Sequence, residues 1–388
     1  MKKIAIITAT RAEYGLLAPV IRELRTYENE GFQVEVIVTG THLYTEYGDT
    51  IQEIKADHVR IDEIIKIPVN SQTALDISSN QAVALTKFTE LFLKKRYDAV
   101  MLLGDRYETL AFAIAAGNTQ TPIFHVAGGD TTEGAMDEWI RHSITKMSYL
   151  HFTTNEQSRR RVIQMGENPD RVFNYGSTSI DNIMMLANMS RQEALASVGL
   201  SDCRYALCTY HPTTMELGEM DVQVEDFLRA IEHYPNIQFI VTKSNSDQGG
   251  SRINNRLDSA EKKIKNLHVY ASLGAKRYLS LMRYAEFVLG NSSSGIIETP
   301  AFCIPTVNIG DRQRGRLQTQ SIINCDTDEN AIVSAIAQAI SAEMKQICEQ
   351  TESPYGDGAA AKKIAKKSVE IIMQTTMDLR KTFYDIEV

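Results

Sequence analysis

Short apolar, β-rich runs recur along this 388-residue chain, most of them closing on a glycine or a polar residue and most followed by a longer segment of helical period. That alternation leaves few folds open, because buried strands joined by crossover helices make a parallel sheet covered on both faces. In the first half the runs are KIAIITA (3–9), QVEVIVTG (33–40), EIIKIPV (63–69), YDAVMLLG (97–104), PIFHVAG (122–128) and YLHFTT (149–154), with helices predicted near 15–28, 72–95, 107–118 and 136–147. After about residue 175 the pattern restarts with RYALCTY (204–210), IQFIVTK (237–243), LHVYAS (267–272), EFVLGN (286–291) and PTVNIG (305–310), with helices near 221–232, 251–265, 275–284 and 293–302. The fold class expected is α/β with two doubly wound domains. Beyond SPYGDG (353–358), Ala, Lys and Ile at helical spacing predict one or two closing helices.

Charge and composition exclude several functions. With 41 basic against 49 acidic residues the chain carries −8, which opposes sequence-independent nucleic-acid binding. No stretch approaches the roughly 20 apolar residues of a membrane span. The N-terminal MKKIAIITATRAEYG is too short in its apolar run for a secretion signal and reads as a first buried strand. Five cysteines, odd in number and without metal-ligand spacing, point to a reducing cytoplasmic compartment and to no metal.

In open α/β sheets ligands bind outside the carboxyl ends of the strands, so the polar residues just after each run are the candidates. Arg11 follows the first strand and offers a planar fork to a phosphate, or is a solvated loop residue. His42 follows the second, as a ligand contact or a structural histidine. LLGDRYET (102–109) ends a buried strand at Gly104 and then presents Asp105, a candidate general acid or base, and Arg106, a candidate phosphate contact. A helix N-cap beside a salt-bridged neighbour explains the same pair. HVAGGDTTEGAMDEWIRH (125–142) crowds Asp130, Glu133, Asp137 and Glu138, and crowded carboxylates separate into protonated and ionised forms. An i,i+4 pair between Asp137 and Arg141 with Glu138 in solvent is the plainer alternative.

In the second half, His211 follows a strand, and VTKSNSDQGG (241–250) is a polar loop after the next. VLGNSSSGIIETP (288–300) places Ser292, Ser293, Ser294 and Gly295 at a predicted helix start, a seat for phosphate, with Glu298 one turn on for a ribose diol. Arg312, Arg314 and Arg316 follow the last strand. Neither GxxxxGK[ST] nor GxGxxG occurs. Phosphate-binding features in the second domain and acids in the first suggest a sugar nucleotide spanning both.

Taken in order, TATRAEYGLLAP, GTHL, LLGDRYETLAFAIAA, HVAGG, MDEWIRHSITKMSYLHF, YHPTT, GNSSSGIIETP and NIGDRQRGR resemble the hydrolysing UDP-N-acetylglucosamine 2-epimerases over nearly the whole chain. The resemblance implies a glycosyltransferase-B-like arrangement of two Rossmann-like domains with the active site in an interdomain cleft. It places residues 1–175, joined by a C-terminal helix 366–388, in the N-terminal domain and 176–365 in the nucleotide-binding one. It implies elimination of UDP to a 2-acetamidoglucal, then hydration to an N-acetylmannosamine-type sugar, without a cofactor and in a homodimer or homotetramer. Asp105, Asp137 and His211 fall on its catalytic positions; Arg11, Arg106, Asn245, Ser292, Ser293, Glu298 and Arg312 fall on its nucleotide contacts.

One departure stands out. Relatives carry a glutamate after the fifth strand where this chain has Ala127, which cannot transfer a proton. Asp130 or Glu133 is expected to supply the missing carboxylate. Ala127 equally suits another sugar, the 2,4-diacetamido-2,4,6-trideoxyglucose linked to UDP or GDP of legionaminic-acid pathways. A non-hydrolysing epimerase, a glycosyltransferase of the same architecture and a sugar-nucleotide sensor stay open as competing functions.

Overall fold

Buried runs and amphipathic segments sort into two parallel sheets in the computed structural model, which describes residues 1–29, 31–132, 136–212, 220–244, 250–374 and 377–386. Met1–Asp130, Met136–Asn182 and Tyr355–Val388 form a first compact unit, and Ile183–Pro354 belong to a second. No helix among the described residues is long and apolar enough to cross a membrane.

Among the described residues the first unit holds β1 (Lys2–Thr8), β2 (Phe32–Thr39), β3 (Glu63–Ile65), β4 (Ala99–Leu103), β5 (Ile123–Val126), β6 (Leu150–Thr153) and β7 (Val172–Asn174). They lie in the order β3-β2-β1-β4-β5-β6-β7, and the order reverses between β1 and β4. Its helices are α1 (Arg11–Arg25), α2 (Ile51–Ala56), α3 (Ala74–Lys95), α4 (Tyr107–Asn118), α5 (Met136–Met147) and α6 (Glu156–Gln164), while α7 (Thr178–Leu186) runs across the boundary between units. Side chains of a strand alternate between faces, and β1 shows it: Ile4 and Ile6 enter the core with Leu17 and Ile21 of α1, whereas Ala5 and Ile7 enter the one with Phe88 of α3 and Phe112 of α4. Both faces being buried, the strands read as unbroken apolar runs.

The second unit repeats the plan with β8 (Tyr205–Thr209), β9 (Gln238–Thr242), β10 (Leu267–Tyr270), β11 (Phe287–Gly290), β12 (Thr306–Ile309) and β13 (Ile322–Cys325), ordered β10-β9-β8-β11-β12-β13. Its helices are α8 (Arg191–Ala196), α9 (Met220–Glu232), α10 (Gly250–Glu261), α11 (Gly274–Met282), α12 (Ser294–Ile297), α13 (Glu329–Ala339) and α14 (Ala342–Glu349). Then α15 (Ala360–Gln374) returns to the first unit, where Ile364, Ala365 and Ile372 share a core with α1.

Three expectations change. The division falls after Asn182 and before Tyr355 rather than at 175 and 366. The closing helix is Ala360–Gln374, and the described residues 377–386 are not helical, against the expected 366–388. The helix expected over 293–302 is the four-residue α12, followed by a tighter 3₁₀ turn over Thr299–Phe302, because Pro300 has no N–H to continue an α-helix.

Candidate active site

In doubly wound sheets ligands bind where the strand order reverses. In the first unit that point lies between β1 and β4, and Asp105 follows β4 by two residues. Its carboxylate is ion-paired with Arg141 of α5. The Arg141 guanidinium is 2% exposed, and it also donates to the Asp130 carbonyl at 2.7 Å and to the Glu138 carboxylate at 3.1 Å. Burial opposes its charge, but Asp105, Asp130 and Glu138 outweigh burial and hold it protonated. One buried cation thus ties the ends of β4 and β5 to α5. The plainer of the two sequence readings left Glu138 in solvent; Glu138 is instead half-buried on Arg141 and within 3.1 Å of His142.

Asp137 stands exposed in the first turn of α5, where the helix dipole favours a carboxylate. Asp130 is committed differently. Its Oδ1 accepts hydrogen bonds from Thr154 (2.8 Å) and Ser158 (2.6 Å), so it joins the β5 turn to the start of α6. Ala127 is left-handed at φ 62°, an uncommon state for an L-residue. Glu133 lies outside the described residues.

At the end of β1, Arg11 is exposed, 4.0 Å from Glu53. His42 is fully buried with Nε2 on Thr8 (3.0 Å) and Nδ1 on Thr50 (2.7 Å), and burial lowers its pKa to about 4. Both ring nitrogens are occupied, so His42 pins the β2 end to β1. Arg106 leaves its side chain 42% exposed while its Nε donates to Glu108 at 2.7 Å.

Sequence reasoning missed a buried acid pair beneath Arg106. Glu13 accepts the N–H groups of Ala9 (2.7 Å) and Thr10 (3.1 Å), and Thr10 caps α1 in return. Its carboxyl is pushed up to about 7, first by burial and then by Glu108, against the opposing pull of Arg106 and the two backbone N–H groups. Thr10 and Glu13 are spaced as a capping box, the signal that reveals Glu13 from sequence.

In the second unit the strand order reverses between β8 and β11, where His211 and Asn291 follow their strands. Asn291 holds the His211 backbone twice, accepting its N–H at 2.7 Å and donating to its carbonyl at 2.8 Å. The imidazole Nδ1 lies 3.1 Å from the Ser244 hydroxyl, and burial, then the Arg312 charge, lower its pKa to about 3. Arg312 and Gln313 both donate to the Asn291 carbonyl, at 3.0 and 2.8 Å. Arg312, one of the three arginines expected near the anion, thus braces the backbone beside His211 through one of its nitrogens. Ser292, Ser293 and Ser294 are half-buried at the start of α12 and Gly295 is buried, with the Tyr278 hydroxyl beside Ser294, Thr209 and Glu298. A four-residue helix supplies little dipole, so backbone N–H and hydroxyl groups carry what anion affinity this turn has. Asn245 lies outside the described residues.

Residues 24–368 match the family model of UDP-N-acetylglucosamine 2-epimerase. The chain is 37% identical over 387 residues to the polysialic acid biosynthesis protein P7 of Escherichia coli, covering 100% of this chain and 98% of that one. It is 36% identical to the GDP/UDP-N,N'-diacetylbacillosamine 2-epimerase (hydrolyzing) of Campylobacter jejuni, covering 99% of both. A crystal structure of UDP-GlcNAc 2-epimerase from Neisseria meningitidis bound to UDP-GlcNAc superposes with a TM-score of 0.81 at 20% identity, over 95% of this chain and 100% of that one, so the fold is theirs. By its motifs, its whole-length relatives and its two doubly wound sheets, the chain belongs to the UDP-N-acetylglucosamine 2-epimerase family.

Proposed function

We propose that this chain is a hydrolysing sugar-nucleotide 2-epimerase whose substrate is UDP-N-acetylglucosamine and whose products are N-acetylmannosamine and UDP, for sialic-type acid synthesis. A base removes the C2 proton, the C1–O bond to UDP breaks, and the released electron pair forms the C1=C2 bond of a 2-acetamidoglucal. Water then adds its oxygen to C1, and a proton returns to C2 on the opposite face. Asp105 and Asp137 handle the C2 proton and the hydration, and His211 serves the departing UDP as a neutral imidazole. Arg11, Arg106, Asn245, Ser292, Ser293, Ser294, Gly295, Glu298 and Arg312 hold the nucleotide. The single observation that most supports this reading is Asp105, a carboxylate set by a buried arginine at the strand reversal of a chain with hydrolysing relatives.

A second substrate stands beside the first. The resemblance puts a glutamate where this chain has Ala127, and one relative is the GDP/UDP-N,N'-diacetylbacillosamine 2-epimerase (hydrolyzing) of Campylobacter jejuni. With Asp130 committed to Thr154 and Ser158, Glu133 becomes the acid assigned to the vacant role. Incubation with UDP-N-acetylglucosamine and, separately, with UDP- and GDP-linked 2,4-diacetamido-2,4,6-trideoxyglucose, followed by phosphorus and proton NMR, separates the readings. Free UDP with N-acetylmannosamine supports the first, and nucleotide release from a diacetamido sugar alone supports the second. Release from none of the three removes the hydrolase assignment, and UDP-N-acetylmannosamine without free UDP marks the non-hydrolysing reaction.

A further inference from the structure

We infer that His125 is a positioning residue that sets the backbone of Asp105; this rests on the reading of Asp105 given above. His125 lies in β5, in register with Leu102 of β4, and is fully buried. A buried imidazole needs partners for both nitrogens, and here both have them. Nε2 lies 3.0 Å from the Gly104 carbonyl and Nδ1 lies 3.3 Å from the Thr145 hydroxyl. A carbonyl only accepts, so Nε2 carries the proton and Nδ1 accepts from Thr145. Burial is the main reason the ring stays uncharged, its pKa lowered to about 3.

The carbonyl that His125 holds belongs to the peptide joining Gly104 to Asp105. Gly104 is left-handed at φ 80°, and its N–H donates to the Val126 carbonyl at 3.2 Å. Two consecutive residues of β5 therefore grip the residue before Asp105 by its donor and its acceptor. The other end of Asp105 is gripped by Arg141, which stands one helical turn before Thr145 on α5. Gly128 completes the arrangement, because a Cβ there would meet His125 Nδ1 at 2.8 Å and Thr145 Oγ1 at 3.0 Å. The chain after β5 passes over the ring edge with no room for a side chain. An ordinary core histidine would account for burial and for one hydrogen bond. It does not account for a ring whose proton is directed at the peptide of the candidate acid.

The test pairs His125→Phe, which keeps the ring volume and removes the donor, with His125→Gln, whose amide Nε2 can reach the Gly104 carbonyl. Crystal structures and nucleotide-release kinetics are measured on both and on the wild type. We expect His125→Phe to shift Asp105 off Arg141 and to lower kcat about tenfold to hundredfold with KM within about threefold, the mark of misplaced chemistry. His125→Gln is expected to restore both the pair and most of kcat. Asp105 still seated on Arg141 in His125→Phe, or an unchanged kcat, overturns the inference. If His125→Phe does not fold, Thr145→Val carries the comparison, since it frees the tautomer and leaves the ring. If the wild type releases no nucleotide, the function proposed above fails, while the position of Asp105 in the crystals still decides the role of His125.

Discussion

Arg141 is 2% exposed, and its ion-pair partner Asp105 keeps 27% of its side chain in contact with water. The cation is deep and the acid shallow, the arrangement needed for a carboxylate that must meet a substrate while held in one place. Removing one member of a buried pair typically costs 3–5 kcal/mol. Arg141→Met should cost less, about 2–3 kcal/mol, because the carboxylates it abandons reach solvent. Turnover should fall at least about a hundredfold, since Asp105 loses its orientation. Arg141→Lys should recover the charge but not the fork that reaches Asp105, Asp130 and Glu138 together. Urea unfolding and nucleotide release measure both. A methionine variant with wild-type stability and turnover would contradict the role given to Arg141.

Asp130→Asn should be nearly silent. Asparagine keeps an Oδ1 that accepts from Thr154 and Ser158, so turnover within about threefold of wild type and stability within roughly 1 kcal/mol are expected. Asp130→Ala loses both hydrogen bonds and should cost about 2 kcal/mol. Glu133→Gln should then show the larger loss of turnover. A strong loss in Asp130→Asn with the fold intact would return proton transfer to Asp130.

The two sheets were legible because alternation and uninterrupted apolar runs follow from strands buried on both faces, and the polar residues after them gave the candidate site positions. What was not legible depends on contacts distant in sequence. Glu108 read as a helix residue, yet it lies under Arg106 with Glu13, and no local pattern brings those acids together. Arg141 entered the sequence reading only as an i,i+4 neighbour of Asp137, because helical spacing says nothing about a carboxylate arriving from β4. His42 stayed open between a ligand contact and a structural histidine, since nothing near it in sequence announces that Thr8 and Thr50 take its two nitrogens. The strands β7 and β13 are too short for a pattern of period two to distinguish them from loop.

Glu13 makes stability depend on pH in an unusual direction. Its carboxyl is raised from an ordinary 4.5 to about 7, so between those values the folded chain holds a proton that the unfolded chain has released. Stability from this group is fully present below about pH 4.5 and is lost as pH rises through 7, by an amount of roughly 3 kcal/mol. Glu13→Gln keeps the oxygen that accepts from Ala9 and Thr10 and carries no charge, so it should flatten that fall and be the more stable protein at pH 8. Urea midpoints at pH 5, 6, 7 and 8 test this. Parallel pH curves for the two proteins would show that burial does not raise Glu13.

His211 acts in the opposite sense. Burial and Arg312 lower its pKa from an ordinary 6.5 to about 3, so the folded chain keeps it neutral while an unfolded chain protonates it. Its contribution to stability is present above pH 6.5 and is lost as pH falls toward 3. The same neutrality constrains catalysis. The pH profile of kcat should carry no limb from this imidazole between pH 5 and 8, although His211→Gln should lower kcat about a hundredfold or more. Asn291→Ala should reproduce part of that loss without touching the ring, because it releases the His211 backbone while leaving in place the Asn291 carbonyl to which Arg312 and Gln313 donate. A wild-type limb near pH 6.5 that disappears in His211→Gln would show that the imidazole titrates in place, and the buried, neutral role would have to be given up.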